Sequence, residues 1–336
     1  MRVLTCVRPG KMEMTGQPVP TPAINEVLLK TKKIGICGTD LHAFSGTQPY
    51  FNYPRVLGHE IAAEIADPNG HTGFKTGDVV TVMPYFNCGT CSSCLKGKTN
   101  CCSNLKVAGV HADGGLREYF PAPADKVILN TTLSTDQLAL LEPFSIGQHA
   151  ISRAAFNDND TVLIIGAGPI GIGLAQLAVQ KNVRVIIADT DENRISYCRR
   201  IKGLDNILIQ AGKMTADVLE KTSGAGADIV IDASGNLKAI ESGLQYMSHG
   251  GKYILVGLQK QTFAFSHPEF HKKETTLMSS RNATRKDFDD VIDFFTAGKA
   301  ETTHYITHRL SFADAEEAFP VILHEKSKVI KAVIEF

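Results

Sequence analysis

A short segment near the N-terminus concentrates side chains that bind metals and move protons. It runs Gly35-Ile36-Cys37-Gly38-Thr39-Asp40-Leu41-His42 and is followed by Gly58-His59-Glu60. Cys, His and Glu are the side chains that hold a catalytic zinc, which needs about three protein ligands and one open position. Because both stretches are rich in glycine, we do not expect an ordinary helix there. The pattern predicts a catalytic zinc site.

Length and composition limit the classes of protein to consider. A chain of 336 residues with 43% hydrophobic and 21% charged residues fits two globular domains of roughly 100–200 residues each. Lys+Arg and Asp+Glu both number 35, and a zero net charge argues against nucleic-acid binding. No apolar run approaches the ~18 residues of a membrane span, and residues 1–17 lack the apolar core of a signal peptide. We therefore expect a cytoplasmic protein without nucleic-acid or membrane partners.

The cysteines predict a second metal site. Five of the eight cysteines lie close together, at Cys88, Cys91, Cys94, Cys101 and Cys102. In a reducing compartment such a cluster favours metal binding over disulfides. Four thiolates satisfy tetrahedral zinc with no open position, which describes a structural site. The alternatives are an iron–sulfur cluster or a redox thiol pair, and spacing alone does not decide between the last two cysteines.

The first half of the chain has the pattern of an all-β domain. Val27–Ile34 and Asp78–Met83 are short apolar or alternating runs bounded by Pro and Gly, which is typical of a barrel or sandwich. Between Leu133 and Ile151 the apolar residues recur at the spacing typical of an amphipathic helix. We expect this helix to lead into a second domain.

Residues from 161 to about 280 alternate strand and helix, which predicts a parallel sheet covered on both faces. A final strand at Val329–Ile334 plausibly returns to the first domain. The predicted strands of the second domain are Thr161–Ile165, Val183–Ala188, Asn206–Ile209, Asp228–Ile231, Lys252–Val256 and Thr275–Met278, and the helices predicted in and after it are Pro169–Lys181, Glu192–Ile201, Lys286–Thr296 and Phe312–Leu323.

The turn Gly166-Ala167-Gly168-Pro169-Ile170-Gly171 follows the first of these strands and opens a helix. Gly166 permits the tight turn, Gly168 lets a pyrophosphate approach the backbone, and Gly171 lets helix and strand pack closely. The pyrophosphate would lie at the helix N-terminus, where free amides and the helix dipole favour an anion. This turn predicts a dinucleotide site.

Asp189 ends the second strand of the same unit. An acidic residue there hydrogen-bonds the adenosine ribose and repels a 2′-phosphate, which favours NAD over NADP. The alternative is a strand-end carboxylate paired with Arg194. In either case no basic residue follows directly to hold a 2′-phosphate.

Together these motifs resemble the zinc-dependent medium-chain alcohol and polyol dehydrogenases over essentially the whole chain. The resemblance implies a GroES-like β-barrel catalytic domain (residues 1–150 and 282–336) with a structural zinc lobe (86–104), and a doubly wound parallel Rossmann domain (151–281) that binds NAD. It implies two Zn²⁺ per chain and favours Cys102 over Cys101 as the fourth structural ligand. It also implies a homodimer or homotetramer.

The third catalytic ligand position points to one branch of that family. Leu141-Glu142-Pro143-Phe144 resembles the sorbitol and threonine dehydrogenases, which carry Glu there. The implied ligand set is Cys37, His59 and a carboxylate, with Glu60 and Glu142 exchanging direct and water-mediated roles. Oxygen ligation makes the metal a somewhat stronger Lewis acid than two thiolates would.

The resemblance also implies a proton path. Thr39 accepts the proton of the substrate hydroxyl, and a cofactor ribose hydroxyl passes it to His42 and on to solvent. The alternative for His42 is an ordinary loop histidine.

The runs Val110–Gly115 and Phe270–Thr284 are similar to the hexonate (L-galactonate and L-gulonate) 5-dehydrogenases and the starvation-sensing-type dehydrogenase. This implies oxidation of a secondary alcohol of a sugar acid to the keto acid. The alternatives are a polyol, 2,3-diol or threonine dehydrogenase, or a relative without enzymatic activity.

A carboxylate substrate needs a cation to bind it, and Arg281 and Lys272 or Lys273 are candidates. Arg281 and Arg194 are also candidate cofactor contacts, and His111 is a candidate substrate contact or loop residue.

Asp189→Ala tests the cofactor assignment. Because the carboxylate repels a 2′-phosphate, its loss should relax the bias against NADP. We expect the ratio of kcat/KM with NAD to kcat/KM with NADP to fall about tenfold, equivalent to about 1.4 kcal/mol. Steady-state assays with both dinucleotides measure this, and an unchanged preference would contradict the role given to Asp189.

Overall fold

The computed structural model describes residues 1–204, 208–210 and 213–336. The chain divides into two compact units, residues 1–143 with 283–336 (unit 1) and residues 144–282 (unit 2). The sequence predicted this boundary between residues 150 and 151. The predicted and the observed boundary both lie within one helix, Thr135–Ala154. A continuous helix has no loop or composition change to mark such a boundary.

Short strands dominate the first part of unit 1. In chain order the elements are β1 (Arg2–Arg8), β2 (Lys11–Gly16), β3 (Glu26–Ile36), α1 (Gly38–Phe44), β4 (Arg55–Val56), β5 (Glu60–Asp67), β6 (Val79–Val82), β7 (Tyr85–Phe86), α2 (Ser92–Leu95), β8 (Lys106–Val107), β9 (Tyr119–Pro123), β10 (Val127–Leu129) and α3 (Thr135–Ala154).

Unit 2 alternates strands and helices, and the chain then returns to unit 1. The elements of unit 2 are β11 (Thr161–Ile165), α4 (Pro169–Ala178), β12 (Arg184–Asp189), α5 (Glu192–Cys198), β13 (Leu208–Gln210), α6 (Met214–Lys221), β14 (Ala227–Asp232), α7 (Leu237–Ser242), β15 (Met247–Leu255), α8 (His267–Lys272) and β16 (Thr276–Ser279). The returning elements are α9 (Arg285–Thr296), β17 (Ile306–Ser311), α10 (Ala315–His324) and β18 (Lys331–Glu335). Of the strand predicted at Asn206–Ile209, Asn206 and Ile207 lie outside the described residues.

The larger sheet of unit 1 joins the start and the end of the chain. Its strand order is β10-β6-β5-β3-β18-β17, and β9 also pairs with β3. The last strand, β18, lies antiparallel to β3 with Ala332 opposite Ile36. Because β5 pairs with the other edge of β3, residues from three distant parts of the chain meet where β3 ends.

Helix α1 corrects one expectation from the sequence. The Gly-rich segment was not expected to be helical, yet Gly38–Phe44 form a helix that begins directly after Cys37. Asp40 makes this start possible, because its carboxylate accepts the backbone N–H of Cys37 at 2.9 Å. Gly38 occupies the first helical position, outside the interior where glycine costs most. Thr39 and His42 are consequently three residues apart on one helix and share a face.

The first turns of α3 are tied to the sheet of unit 1. Asp136 accepts from Lys33 Nζ at 2.6 Å and from Arg309 Nη2 at 2.6 Å, and the hydrogen bond from Arg309 holds the pKa of Asp136 below its usual value. The Thr81 hydroxyl contacts the Leu138 carbonyl at 3.3 Å and the Ile61 carbonyl at 2.7 Å. These contacts fix the turn that precedes Glu142.

The described strands of unit 2 form a parallel sheet of order β13-β12-β11-β14-β15-β16. The chain moves from β11 to one side through β12 and then to the other side through β14. Ligands of such sheets bind at the carboxyl ends of the strands where the order reverses, here after β11. Among the described residues, no helix has the length and apolar character needed to cross a membrane.

Candidate metal and dinucleotide sites

The end of β3 and the start of β5 build the centre of the metal site. These strands are antiparallel, with Gly35 opposite Glu60. Cys37 directly follows β3 and His59 directly precedes β5, so the register brings both next to Glu60. One donor atom from each of these three residues lies within 4.8 Å of the other two. His59 and Glu60 are buried, while Cys37 is half-buried.

Gly35 is required by the close approach of the Glu60 side chain. A Cβ atom at residue 35 would lie 1.9 Å from Glu60 Oε2, far inside van der Waals contact. The glycine that begins the metal-binding segment therefore makes room for one of its carboxylates.

Asp40 supports this centre and was not assigned a role by the sequence analysis. Its side chain is fully buried, and besides the N–H of Cys37 it accepts the N–H of Gly58 at 3.2 Å. It therefore fixes the backbone beside both Cys37 and His59. The sequence signal that could have identified Asp40 is an acidic residue three positions after the candidate ligand Cys37.

Burial and neighbouring charges act in opposite directions on the pKa of His59. Burial lowers the pKa of His59, but Asp40, whose Oδ1 lies 3.6 Å from His59 Nδ1, and Cys37 outweigh it and raise the pKa well above its usual value. Within the described part of the chain, His59 Nδ1 has no hydrogen-bond partner.

Glu142 is buried, on α3, and receives a hydrogen bond from the hydroxyl of Tyr85. Burial raises the pKa of Glu142; His59 opposes this shift, and Glu60 adds to it. Tyr85 is itself buried, with its ring edge against Phe288. The sequence analysis missed Tyr85, since β7 has only two residues and no pattern that marks a functional position.

Lys331, at the start of β18, was also missed. Its Nζ lies 2.6 Å and 2.8 Å from the two carboxylate oxygens of Glu60 and 3.3 Å from the Ile36 carbonyl. Lys331 is 1% exposed and Glu60 is 0% exposed. Burial lowers the pKa of Lys331, but the charge of Glu60 outweighs it and raises the pKa. This ion pair requires the β18–β3 pairing, which sequence spacing does not reveal.

The predicted relay residues lie on α1. Thr39 is half-buried and His42 is exposed, and His42 Nδ1 lies 2.8 Å from the hydroxyl of Thr47. This exposure suits the solvent end of a proton path. His111 instead accepts the backbone N–H of Val107 at 3.2 Å, which stabilises a turn.

The donor set of unit 1 fits zinc. A thiol, an imidazole and a carboxylate within 4.8 Å are the ligand types of catalytic zinc sites. Ligands of this kind are normally oriented by further hydrogen bonds, which Asp40, Tyr85 and Lys331 supply here.

The cysteine cluster forms a second group of donors. The sulfur atoms of Cys88, Cys91, Cys94 and Cys102 lie within 4.8 Å of one another, and among the described residues Cys101 is outside this group. Hydrogen bonds from Thr90 lower the pKa of Cys88 to about 7. Hydrogen bonds from the backbones of Cys94 and Ser103 lower the pKa of Cys91 to about 5. The pKa of Cys102 is instead raised to about 11, partly by burial. The grouping of four cysteine sulfur atoms is what fits a structural zinc.

In unit 2 the glycine-rich turn has the geometry of a dinucleotide site. Gly166 follows β11 with φ +102°, and a Cβ there would lie 2.9 Å from the Ser234 amide nitrogen. A Cβ on Gly171 would lie 1.8 Å from the Gly166 carbonyl oxygen. Helix α4 begins at Pro169 with Gly168 as its N-cap. Residues 166 and 171 therefore accept only glycine, and the N-terminus of α4 between them is suited to bind an anion.

Asp189 lies beside this turn. Its Oδ2 accepts the N–H of Ala167 at 2.7 Å, and its Oδ1 accepts the N–H of Asp191 at 2.9 Å. Arg194 Nη1 lies 3.6 Å from Asp189 Oδ2 and 3.7 Å from where a Cβ on Gly168 would be. Asp189 therefore forms the ion pair with Arg194 that was the alternative to ribose binding. Its carboxylate also lies next to the glycine-rich turn.

The candidate cations for a substrate carboxylate lie at opposite ends of β16. Arg281 is exposed and follows the carboxyl end of that strand, as a ligand contact requires. Lys272 and Lys273 precede the strand, and Lys273 donates to the Leu244 and Met247 carbonyls at 2.8 Å and 2.7 Å. The two lysines therefore lie at the amino end of β16, away from the strand ends at which ligands of such sheets bind.

Comparison with known families and proteins decides the family. Residues 23–131 match the alcohol dehydrogenase GroES-like domain, and residues 169–297 match the zinc-binding dehydrogenase family. An L-galactonate-5-dehydrogenase of Escherichia coli (strain K12) is 41% identical over 100% of this chain and 99% of its own length. The chain belongs to the zinc-binding alcohol dehydrogenase family.

Further relatives agree with this family. A sorbitol dehydrogenase of Halalkalibacterium halodurans is 31% identical over 97% of this zinc-binding dehydrogenase and 96% of its own length. A crystal structure of a short chain alcohol dehydrogenase from Escherichia coli CFT073, complexed with the cofactor NADH, has a TM-score of 0.93 at 29% identity and covers 100% of this chain and 99% of its own. The resemblance inferred from the motifs, the GroES-like and Rossmann folds and the dehydrogenase class are thereby confirmed.

Gly35→Ala tests the geometry of the metal centre. The added methyl group would displace the Glu60 carboxylate, so zinc measured by atomic emission should fall from about two to about one per chain, the cysteine cluster keeping its ion. The matched control is Gly38→Ala, since a Cβ there meets nothing within 4 Å. Full zinc content in Gly35→Ala would show that the placement of Glu60 is wrong.

Proposed function

We propose that this protein is an NAD-dependent dehydrogenase of sugar acids that oxidises the hydroxyl group at carbon 5 of a hexonate such as L-galactonate or L-gulonate. The net reaction converts the secondary alcohol and NAD⁺ into a ketone, NADH and a proton. The observation that carries the proposal is the 41% identity, over the full length of both chains, with an enzyme named for L-galactonate.

The two units support different parts of this reaction. Unit 1 holds the donor group of Cys37, His59 and Glu60 together with the buried Glu142, and it is proposed as the catalytic domain. Unit 2 holds the glycine-rich turn with Asp189 and is proposed as the NAD domain. A relative at 29% identity binds NADH, which supports NAD as the acceptor.

The residues of the metal site share the chemistry as follows. Zinc held by Cys37, His59 and a carboxylate supplies the Lewis acidity that lowers the pKa of a substrate hydroxyl. The Thr39 hydroxyl accepts the proton, which a water-excluded site cannot release directly. Exposed His42, on the same face of α1, passes it to solvent.

A polyol dehydrogenase is the second candidate. The sorbitol dehydrogenase at 31% identity covers almost the same length, and both classes of substrate offer secondary hydroxyl groups. A non-enzymatic role does not account for two complete sets of metal-binding side chains. We further propose a homodimer or homotetramer acting in the cytoplasm.

A panel of substrates tests the proposal. L-galactonate, L-gulonate, sorbitol, L-threonine and 2,3-butanediol would each be incubated with the enzyme and NAD, with NADH formation followed by absorbance. We expect the highest kcat/KM with a hexonate. Activity on sorbitol without activity on any hexonate would replace the proposal by the second candidate.

Thr39→Ala tests the proton path. Loss of the hydroxyl should lower kcat by roughly 10²-fold, the scale of acid–base assistance, with zinc content unchanged. Thr39→Ser keeps the hydroxyl and should retain most of the activity. If the serine variant were as slow as the alanine variant, the role of the hydroxyl would be refuted.

A further inference from the structure

A buried carboxylate, that of Asp232, ends strand β14 in unit 2. β14 pairs with β11, the strand that leads into the glycine-rich turn, and the pairing sets Asp232 opposite Ile165. Asp232 is 0% exposed, whereas Ser234, two residues further along, is exposed. A buried charge is costly unless it is hydrogen-bonded, so the donors to Asp232 show what it holds in place.

The residues that directly follow β14 supply those donors. Asp232 Oδ1 accepts the hydroxyl of Ser234 at 2.6 Å, and Asp232 Oδ2 accepts the N–H of Gly235 at 3.0 Å. Burial raises the pKa of Asp232, and the hydrogen bonds from Ser234 and Gly235 oppose this shift. The carboxylate therefore ties residues 232–235 into a tight turn at the end of the strand; we call these four residues the Asp232 turn.

The backbone of Asp232 joins this turn to the end of β15. Its carbonyl accepts the N–H groups of Val256 and Gly257 at 2.9 Å and 3.0 Å. A Cβ atom on Gly257 would lie 2.1 Å from the Gly235 nitrogen and 3.0 Å from Asp232 Oδ2. The segment after β15 therefore packs directly against the Asp232 turn and leaves it no room to move in that direction.

The Asp232 turn also contacts the glycine-rich turn. Ala233 donates its N–H to the Ile165 carbonyl at 2.8 Å. A Cβ atom on Gly166 would lie 2.9 Å from the Ser234 nitrogen, and one on Gly171 would lie 3.5 Å from Ala233 Cβ. Because the strand order reverses between β11 and β14, ligands are expected in the crevice at the carboxyl ends of these strands. The two turns are the walls of that crevice.

We propose that Asp232 is a positioning residue of the dinucleotide site, which holds Ser234 against Gly166 and so sets the shape of the crevice before NAD binds. It is buried beneath the turn and acts through Ser234 and Gly235. A turn that is already ordered loses less conformational entropy when the ligand binds, which favours tight binding. The inference rests on the proposed function only in assigning NAD to unit 2.

Asp232→Asn tests the inference. Asparagine keeps one oxygen acceptor but turns an NH2 group toward a donor, either the Ser234 hydroxyl or the Gly235 N–H. The Asp232 turn should then lose its fixed position. We expect the Kd for NADH, measured by the fluorescence of NADH on the zinc-loaded protein, to rise about ten- to a hundredfold, the scale of one buried donor left without a partner.

Asp228→Asn is the matched control. Asp228 lies near the other end of β14, where its carboxylate accepts the N–H of Thr161 at 2.8 Å and the hydroxyl of Ser248 at 3.2 Å. This end of the sheet is opposite to the one at which ligands bind. Both variants should lower the melting temperature, but only Asp232→Asn should raise the Kd for NADH. A Kd that is unchanged in Asp232→Asn, or raised equally in both variants, would overturn the inference.

Ser234→Ala separates positioning from direct contact with the cofactor, and it is a milder change should Asp232→Asn fail to fold. Loss of the hydroxyl removes one donor to Asp232 and should raise the Kd for NADH about two- to tenfold. If the hydroxyl acts through Asp232, Ser234→Ala should have little further effect in Asp232→Asn. An unchanged Kd in Ser234→Ala, or an equal effect in both backgrounds, would contradict the role of Asp232.

The same measurements distinguish failure of the inference from failure of the proposed function. NADH binding is measured without a sugar acid, so it does not depend on the substrate. The expected Kd values in a protein that is inactive on hexonates would support the role of Asp232 and reject the substrate. Wild-type protein that showed no saturable binding of NADH would overturn both the inference and the assignment of NAD.

Discussion

The pairing of β3 with both β5 and β18 is the constraint on which the metal site depends. It places the end of β3, the start of β5 and the start of β18 side by side. Cys37, Glu60 and Lys331 come from sequence positions that are far apart, and this register alone brings them together. A shift of one residue would turn every side chain to the other face of the sheet, so the site and the sheet of unit 1 form together.

The electrostatics of the metal site in unit 1 explains why it suits a cation. The carboxylates of Asp40, Glu60 and Glu142 are buried, and a buried charge is costly unless it is paired. Lys331 compensates one of them, and His59 faces another. A divalent cation offsets the remaining carboxylate and the Cys37 thiolate, which makes metal binding a source of stability as well as of chemistry.

The sequence predicted the features that depend on neighbouring residues, and it missed those that depend on residues far apart in the chain. The glycine-rich turn after β11 and the metal-binding residue types follow local rules of spacing, and the strand–helix alternation of unit 2 follows hydrophobic period. Helix α1 was not expected, because the carboxylate of Asp40 offsets the poor helix propensity of its first residue. Tyr85 and Lys331 were missed because their partners are distant in sequence. Spacing left Cys101 and Cys102 as alternatives, which the cluster geometry distinguishes.

Anomalous diffraction at the zinc absorption edge tests the central claim most directly. Crystals of the zinc-loaded protein should show one peak inside the cysteine cluster and one coordinated by Cys37, His59 and a carboxylate. Absence of the second peak would contradict the metal site.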